Sequence, residues 1–101
     1  MKNSPTPWQK FEHSWESTSI ADSDGNIICS LSIYDEATED NQQELEEQMD
    51  ADANLIVAAP DLLEALEVVQ NSIETTGHFR NSSMHEMVKR AIAKATGTTN
   101  I

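Results

Sequence analysis

Residues 51–67, ADANLIVAAPDLLEALE, hold the densest apolar run of the chain, with Pro60 at its centre. A proline has no amide hydrogen, and its ring disfavours helical geometry at the residue before it. A helix arriving from the N-terminal side is therefore expected to stop near Ala58, and another to start at Pro60. Before the proline, Leu45, Met49, Ala53 and Ile56 recur at spacings of four, four and three, which places them on one helix face. After it, Leu62, Leu63, Leu66, Val69 and Ile73 repeat the pattern, and Asp61 and Glu64 suit the positive end of a helix. The expectation is a helical corner whose two apolar stripes fold onto one another or onto a shared sheet.

Working outward, residues 35–52 carry nine acids and no base: Asp35, Glu36, Glu39, Asp40, Glu44, Glu46, Glu47, Asp50 and Asp52. Thr38 is placed to cap a helix here. Early acids suit its N-terminus, whereas Asp40 repels both Glu36 and Glu44 at i, i+4 spacing. These acids either form a solvated face or dock on a basic partner, presenting carboxylates where it expects phosphates.

Towards the N-terminus, residues 27–34 alternate, with Ile27, Cys29, Leu31 and Ile33 expected on one face of a strand. Asp22, Ser23, Asp24, Gly25 and Asn26 form a hairpin turn. A calcium loop is excluded by register, because Gly25 at its sixth position puts Ile20 first and Leu31 twelfth, where carboxylates are needed. Residues 15–21 complete the hairpin, preceded by an irregular lead-in. Trp8 and Trp15 are candidate core caps or partner anchors, and residues 1–7 a flexible terminus.

Towards the C-terminus, Gly77 and Asn81 mark a loop. Ser82 or Ser83 then caps a third helix, with Glu86 completing a capping box if Ser83 is the cap. Met84, Met87, Val88, Ala91, Ile92 and Ala95 form its expected buried stripe, and Gly97 stops it. The expected architecture is a single small acidic α+β domain over 1–101. An N-terminal antiparallel β-hairpin (about 15–34) packs against three helices (about 38–58, 60–74 and 83–96).

The net charge of −12 is uneven: residues 1–77 hold seventeen acids against Lys2 and Lys10, while 78–101 hold four bases against Glu86. Such a field disfavours nucleic acid and anionic membranes and favours a basic protein partner. The single cysteine, Cys29, reads as a small buried hydrophobe in a reducing compartment. No apolar run is long enough for a membrane span. His13, His78 and His85 never stand at i, i+3 or i+4, so neither a metal nor a cofactor is expected. No nucleophile with a base, nor a phosphate loop, points to an enzyme. With five aromatics and a mainly aliphatic core, self-association, such as a homodimer, is a further expectation.

Two blocks add a resemblance: residues 53–66, ANLIVAAPDLLEAL, and residues 91–97, AIAKATG. Together with the DSDG turn at 22–25 that follows the tryptophans, they resemble a widespread group of small phage and prophage proteins. Asp52 departs from that group, whose members frequently carry Asn there. The resemblance brings no catalytic residues to this chain. It implies a phage accessory protein acting in the bacterial host cytoplasm, of a kind whose size and acidity suit inhibitors of restriction or CRISPR defence. The expected function is non-enzymatic binding of a basic host protein through Glu39, Asp40, Glu44, Glu46, Glu47 and Asp50, with Trp8 and Trp15 as anchors. The alternative is a structural or regulatory homo-oligomer of a phage, without mimicry of nucleic acid.

Overall fold

The computed structural model describes residues 3–33 and 36–97. It is an α+β protein with the order β1 (Gln9–Ser14), β2 (Ser17–Ala21), β3 (Ile27–Ser32), α1 (Gln42–Thr76) and α2 (Ser83–Thr96). The chain divides into two compact units, Met1–Pro60 and Asp61–Ile101.

In the first unit the strands form an antiparallel sheet in the order β1-β2-β3, where the sequence suggests only a two-stranded hairpin. The lead-in is itself a strand. Its sequence, QKFEHS, has little β-propensity, but pairing to β2 supplies what propensity does not. Trp15 and Glu16 consequently form the β1–β2 turn, and β2 starts at Ser17 rather than Trp15. Four consecutive residues of β2, Thr18 to Ala21, are buried, so both faces of this central strand are covered.

The expected inward face of β3 is also corrected. Cys29 stands opposite Ile20 and Ile27 opposite Ala21, so Ile28 is the extra residue of a bulge. That shift leaves Ile27 59% exposed and Cys29 only half-buried. The turn between β2 and β3 is as expected: Asp22 Oδ1 accepts from the amides of Asp24 (3.0 Å) and Asn26 (2.9 Å), and Gly25 has φ 89°. Tyr34 and Asp35, expected to end the strand and begin the acidic run, lie outside the described residues.

The larger correction concerns Pro60. One helix of 35 residues runs from Gln42 to Thr76 with the proline inside it, in place of two helices over 38–58 and 60–74. There are two helices among the described residues, not three. A proline inside a helix costs about 3 kcal/mol. Stopping and renucleating would leave two further sets of unpaired end groups and require a new nucleus. With Ala, Leu and Glu on both sides of the proline, continuation prevails.

Thr38 does not cap α1 through its side chain. Its carbonyl accepts from Gln42 N, while Asn41 Oδ1 turns back to accept from Thr38 N at 2.6 Å, so a turn precedes the helix. Met49 and Ala53 join Ile20, Ala21 and Ile33 in the core of this unit, and Leu45 and Ile56 are half-buried on the same expected stripe.

In the second unit, α1 ends as Gly77 (φ 76°) donates its amide to Ile73 O. Phe79 and Asn81 also take left-handed conformations, at φ 63° and 65°. Ser82 is the N-cap of α2, its Oγ accepting from His85 N at 3.1 Å. Glu86 instead pairs with Lys89 at 3.1 Å, so the capping box is not formed. Gly97 closes the helix with φ 73° and an amide bond to Ala93 O. The buried face of α2 is rotated from the expected one: His85 and Val88 are buried and Ile92 half-buried, while Met84, Met87, Ala91 and Ala95 are exposed. On α1, Ile73 is buried and Leu63 and Leu66 half-buried, whereas Leu62 and Val69 are exposed.

Candidate acidic and aromatic site

α1 contains nine acids and neither lysine nor arginine. Glu44, Glu47 and Asp50 follow one another at i, i+3 and are exposed, and Glu46 is half-buried beside them. Glu39 and Asp40 are exposed in the turn that leads into the helix. Among the described residues, Asp50 is the only acid of α1 whose carboxylate meets a cation.

That cation is Lys10 of β1. Its Nζ donates to Asp50 Oδ1 at 2.6 Å and to Asn54 Oδ1 at 2.9 Å, and stands 3.8 Å from Glu12 Oε1. Lys10 and Glu12 alternate along β1, so both face α1. The hydrogen bond to Asp50 raises the Lys10 pKa above its ordinary value of 10.5; burial opposes the shift, and the charges of Asp50 and Glu12 add to it.

Beside this pair lies a groove of about 210 Å³, lined by Trp15, Glu12, Glu46, Met49 and Asp50 together with Ser14 and Thr18. The structure thus brings three of the sequence candidates together: Trp15, Glu46 and Asp50. Trp15 is 48% exposed, at the turn between β1 and β2. Trp8 does not join them; it is half-buried, and its indole Nε1 donates to Ser4 O at 3.1 Å. Glu39, Asp40, Glu44 and Glu47 extend the negative surface without lining the groove.

Lys10, Glu12 and the groove floor at Met49 were not singled out as site residues by the sequence. The signal was the alternation of Lys10 and Glu12, legible only once 9–14 is known to be a strand. A second feature also escapes sequence reasoning. His13 Nε2 lies 2.8 Å from Ser19 Oγ, which lies 2.9 Å from Ser30 Oγ, a polar chain across all three strands. Ser19 is buried, and this chain satisfies its hydroxyl.

Among the described residues no group of three or more His, Cys, Asp or Glu is placed to hold a metal ion, and no helix is long and apolar enough to cross a membrane. Compared with known proteins, residues 1–99 match the model of a family described as Salmonella phage P22 protein Y8K6. Neither a curated protein nor a solved structure matches the chain.

Proposed function

We propose a function that proceeds from one premise: the chain belongs to the Salmonella phage P22 protein Y8K6 family. Within that family setting, it acts as a small non-enzymatic accessory protein of a phage in the bacterial host cytoplasm. It binds a basic host protein through the acidic face of α1. Its carboxylates stand where the partner expects nucleic-acid phosphates, as an inhibitor of restriction or CRISPR defence would arrange them.

The observation that carries this reading is the lack of internal compensation. Glu44, Glu46, Glu47, Asp50 and Asp52 lie on the first unit's part of α1 without a base, behind Glu39 and Asp40 in the preceding turn, and among the described residues only Asp50 of these is neutralised by the protein's own cations. Like charges at i, i+3 and i+4 cost stability, so this surface is not one that folding alone favours. Capture of partners from host extract tests it. The wild-type chain is expected to retain a basic protein at low salt and release it at high salt. Replacing Glu44, Glu46 and Glu47 together with Gln is expected to abolish capture, and salt-insensitive binding unaffected by the triple substitution would refute the reading.

A second reading, a homo-oligomer of the phage, draws on the uncovered apolar side chains of the second unit. Met87 is 67% exposed and Phe79 66%, and Leu62, Val68 and Met84 are also exposed. Self-association would cover these side chains. Sedimentation over a range of concentrations decides it: a strict monomer excludes this second reading and leaves the first intact.

A further inference from the structure

We propose that the groove beside β1 and α1 is an arginine-binding site, which receives one guanidinium side chain of the basic partner against Trp15, Glu46 and Asp50. The inference rests on the reading above and deepens it by naming the group recognised and the place where it docks.

Size comes first. A groove of about 210 Å³ accepts a side chain and excludes an intact helix, which is about 10–12 Å across. Its lining then selects the chemistry. Met49 is buried and provides an apolar floor for an aliphatic stem. Trp15 lines the groove and leaves nearly half of its surface to solvent. An exposed indole next to carboxylates attracts a cation through both the ring face and the charges. Glu46 supplies an uncompensated charge, and Glu12 and Asp50 share the single ammonium of Lys10, which leaves the three carboxylates net negative.

Lys10 shows that these carboxylates hold a cation at hydrogen-bond distance, because its ammonium is already seated on Asp50 Oδ1. It leaves Glu46 without an ion-pair partner among the described residues. An arriving lysine would compete with Lys10 for a point-charge position. An arginine has a planar fork that stacks on indole and bridges carboxylate oxygens, and it is more weakly hydrated than an ammonium. The rest of the acidic surface, at Glu39, Asp40, Glu44 and Glu47, shares the charge but not the aromatic wall or the cleft.

The test is a titration of the full chain with a labelled hexa-arginine peptide, read by fluorescence anisotropy and by the two indole N–H resonances in NMR. The Trp15 resonance is expected to move and that of Trp8 to stay. Trp15→Ala is expected to weaken binding about tenfold, the scale of a partly desolvated cation–π contact. Trp15→Phe should recover part of that loss, which separates ring stacking from a folding defect. Lys10→Met, which frees Asp50, is expected to tighten binding several-fold, and hexa-lysine to bind more weakly than hexa-arginine. The proposal is overturned if Trp15→Ala folds and binds as wild type, or if hexa-lysine binds as tightly as hexa-arginine. Glu44→Gln with Glu47→Gln separates the two levels. If that pair weakens binding while Trp15→Ala does not, the groove fails and the acidic-surface reading survives. If only Trp15→Ala matters, the groove stands and the wider surface is dispensable. If neither matters, both readings fall.

Discussion

The two compact units differ in how much apolar core they close, although both leave apolar side chains exposed, Phe11, Trp15, Ile27 and Leu55 in the first among them. Met1–Pro60 closes a core around Ile20, Ala21 and Ala53, each at most 1% exposed, beneath a sheet whose central strand is covered on both faces. Among the described residues of Asp61–Ile101 only Ile73, Val88 and His85 are buried, while Leu62, Val68, Val69, Phe79, Met84 and Met87 are exposed. The second unit has about forty residues and no strand among those described, close to the size below which chains need outside help to bury a core. The lesson is a division of labour. The unit that can hold a side-chain groove in place is the one that carries the clustered acids and Trp15, and the other has apolar surface to spare.

One cavity in each unit measures the difference between the two cores. Ile20→Ala is expected to cost about 3–4 kcal/mol, and Ile73→Ala about 2 kcal/mol, because a sparser core relaxes further around the lost atoms. Urea unfolding of both variants checks the order, and a larger loss at Ile73 would reverse the assignment of the stronger core.

Pro60→Ala comes next. Because α1 continues through this position, removing the proline is expected to stabilise the protein by about 1–3 kcal/mol, seen as a higher midpoint in the same assay. A loss of stability would restore the helical corner that the sequence suggests.

Smaller effects follow from the turn glycines. Gly25→Ala, at φ 89° in the turn of the first unit, is expected to cost about 1–2 kcal/mol. Gly97→Ala, at the last cap of the second, should cost under about 1 kcal/mol because a helix end frays. Equal costs would mean that the second unit is as cooperative as the first.

The least effect is expected for Lys10→Met. The folded protein raises the Lys10 pKa above 10.5, so the ion pair with Asp50 stabilises fully below that value and is lost as pH rises through the raised pKa. Wild type and variant should therefore differ slightly in melting temperature at pH 8 and converge above pH 10.5. Exposure of the pair keeps the difference small.

Features set by local chemistry were legible in the sequence. Asp22, Gly25 and Asn26 specify their turn whatever surrounds it, and Ser82 and Gly97 bracket α2 through their own side chain and backbone freedom. Features decided by longer range were not. Pro60 signals a break locally, but the helical residues on both sides outweigh it. β1 has little strand propensity beyond Phe11 and exists because β2 pairs with it. The face of α2 shifts by one position, onto His85, Val88 and Ile92, because Met periodicity alone does not say which flank is covered. The candidate site follows the same rule. Trp15, Glu46 and Asp50 each stand out by residue type, but their convergence required Lys10 of β1 to reach Asp50 and Asn54 of α1, a relation between residues 40 and 44 positions apart.

The decisive question is whether the carboxylates of α1 are held in reserve for a partner or already satisfied within the fold. Thermal unfolding of the wild-type chain at pH 7, from low ionic strength to about 0.15 M salt, asks it directly, since the screening length shrinks to about 8 Å over that range. An uncompensated surface relieved of self-repulsion should melt at a higher temperature as salt is added. A melting temperature that falls with salt would show that attractive pairs dominate, and that the acidic face is spent on the protein's own stability.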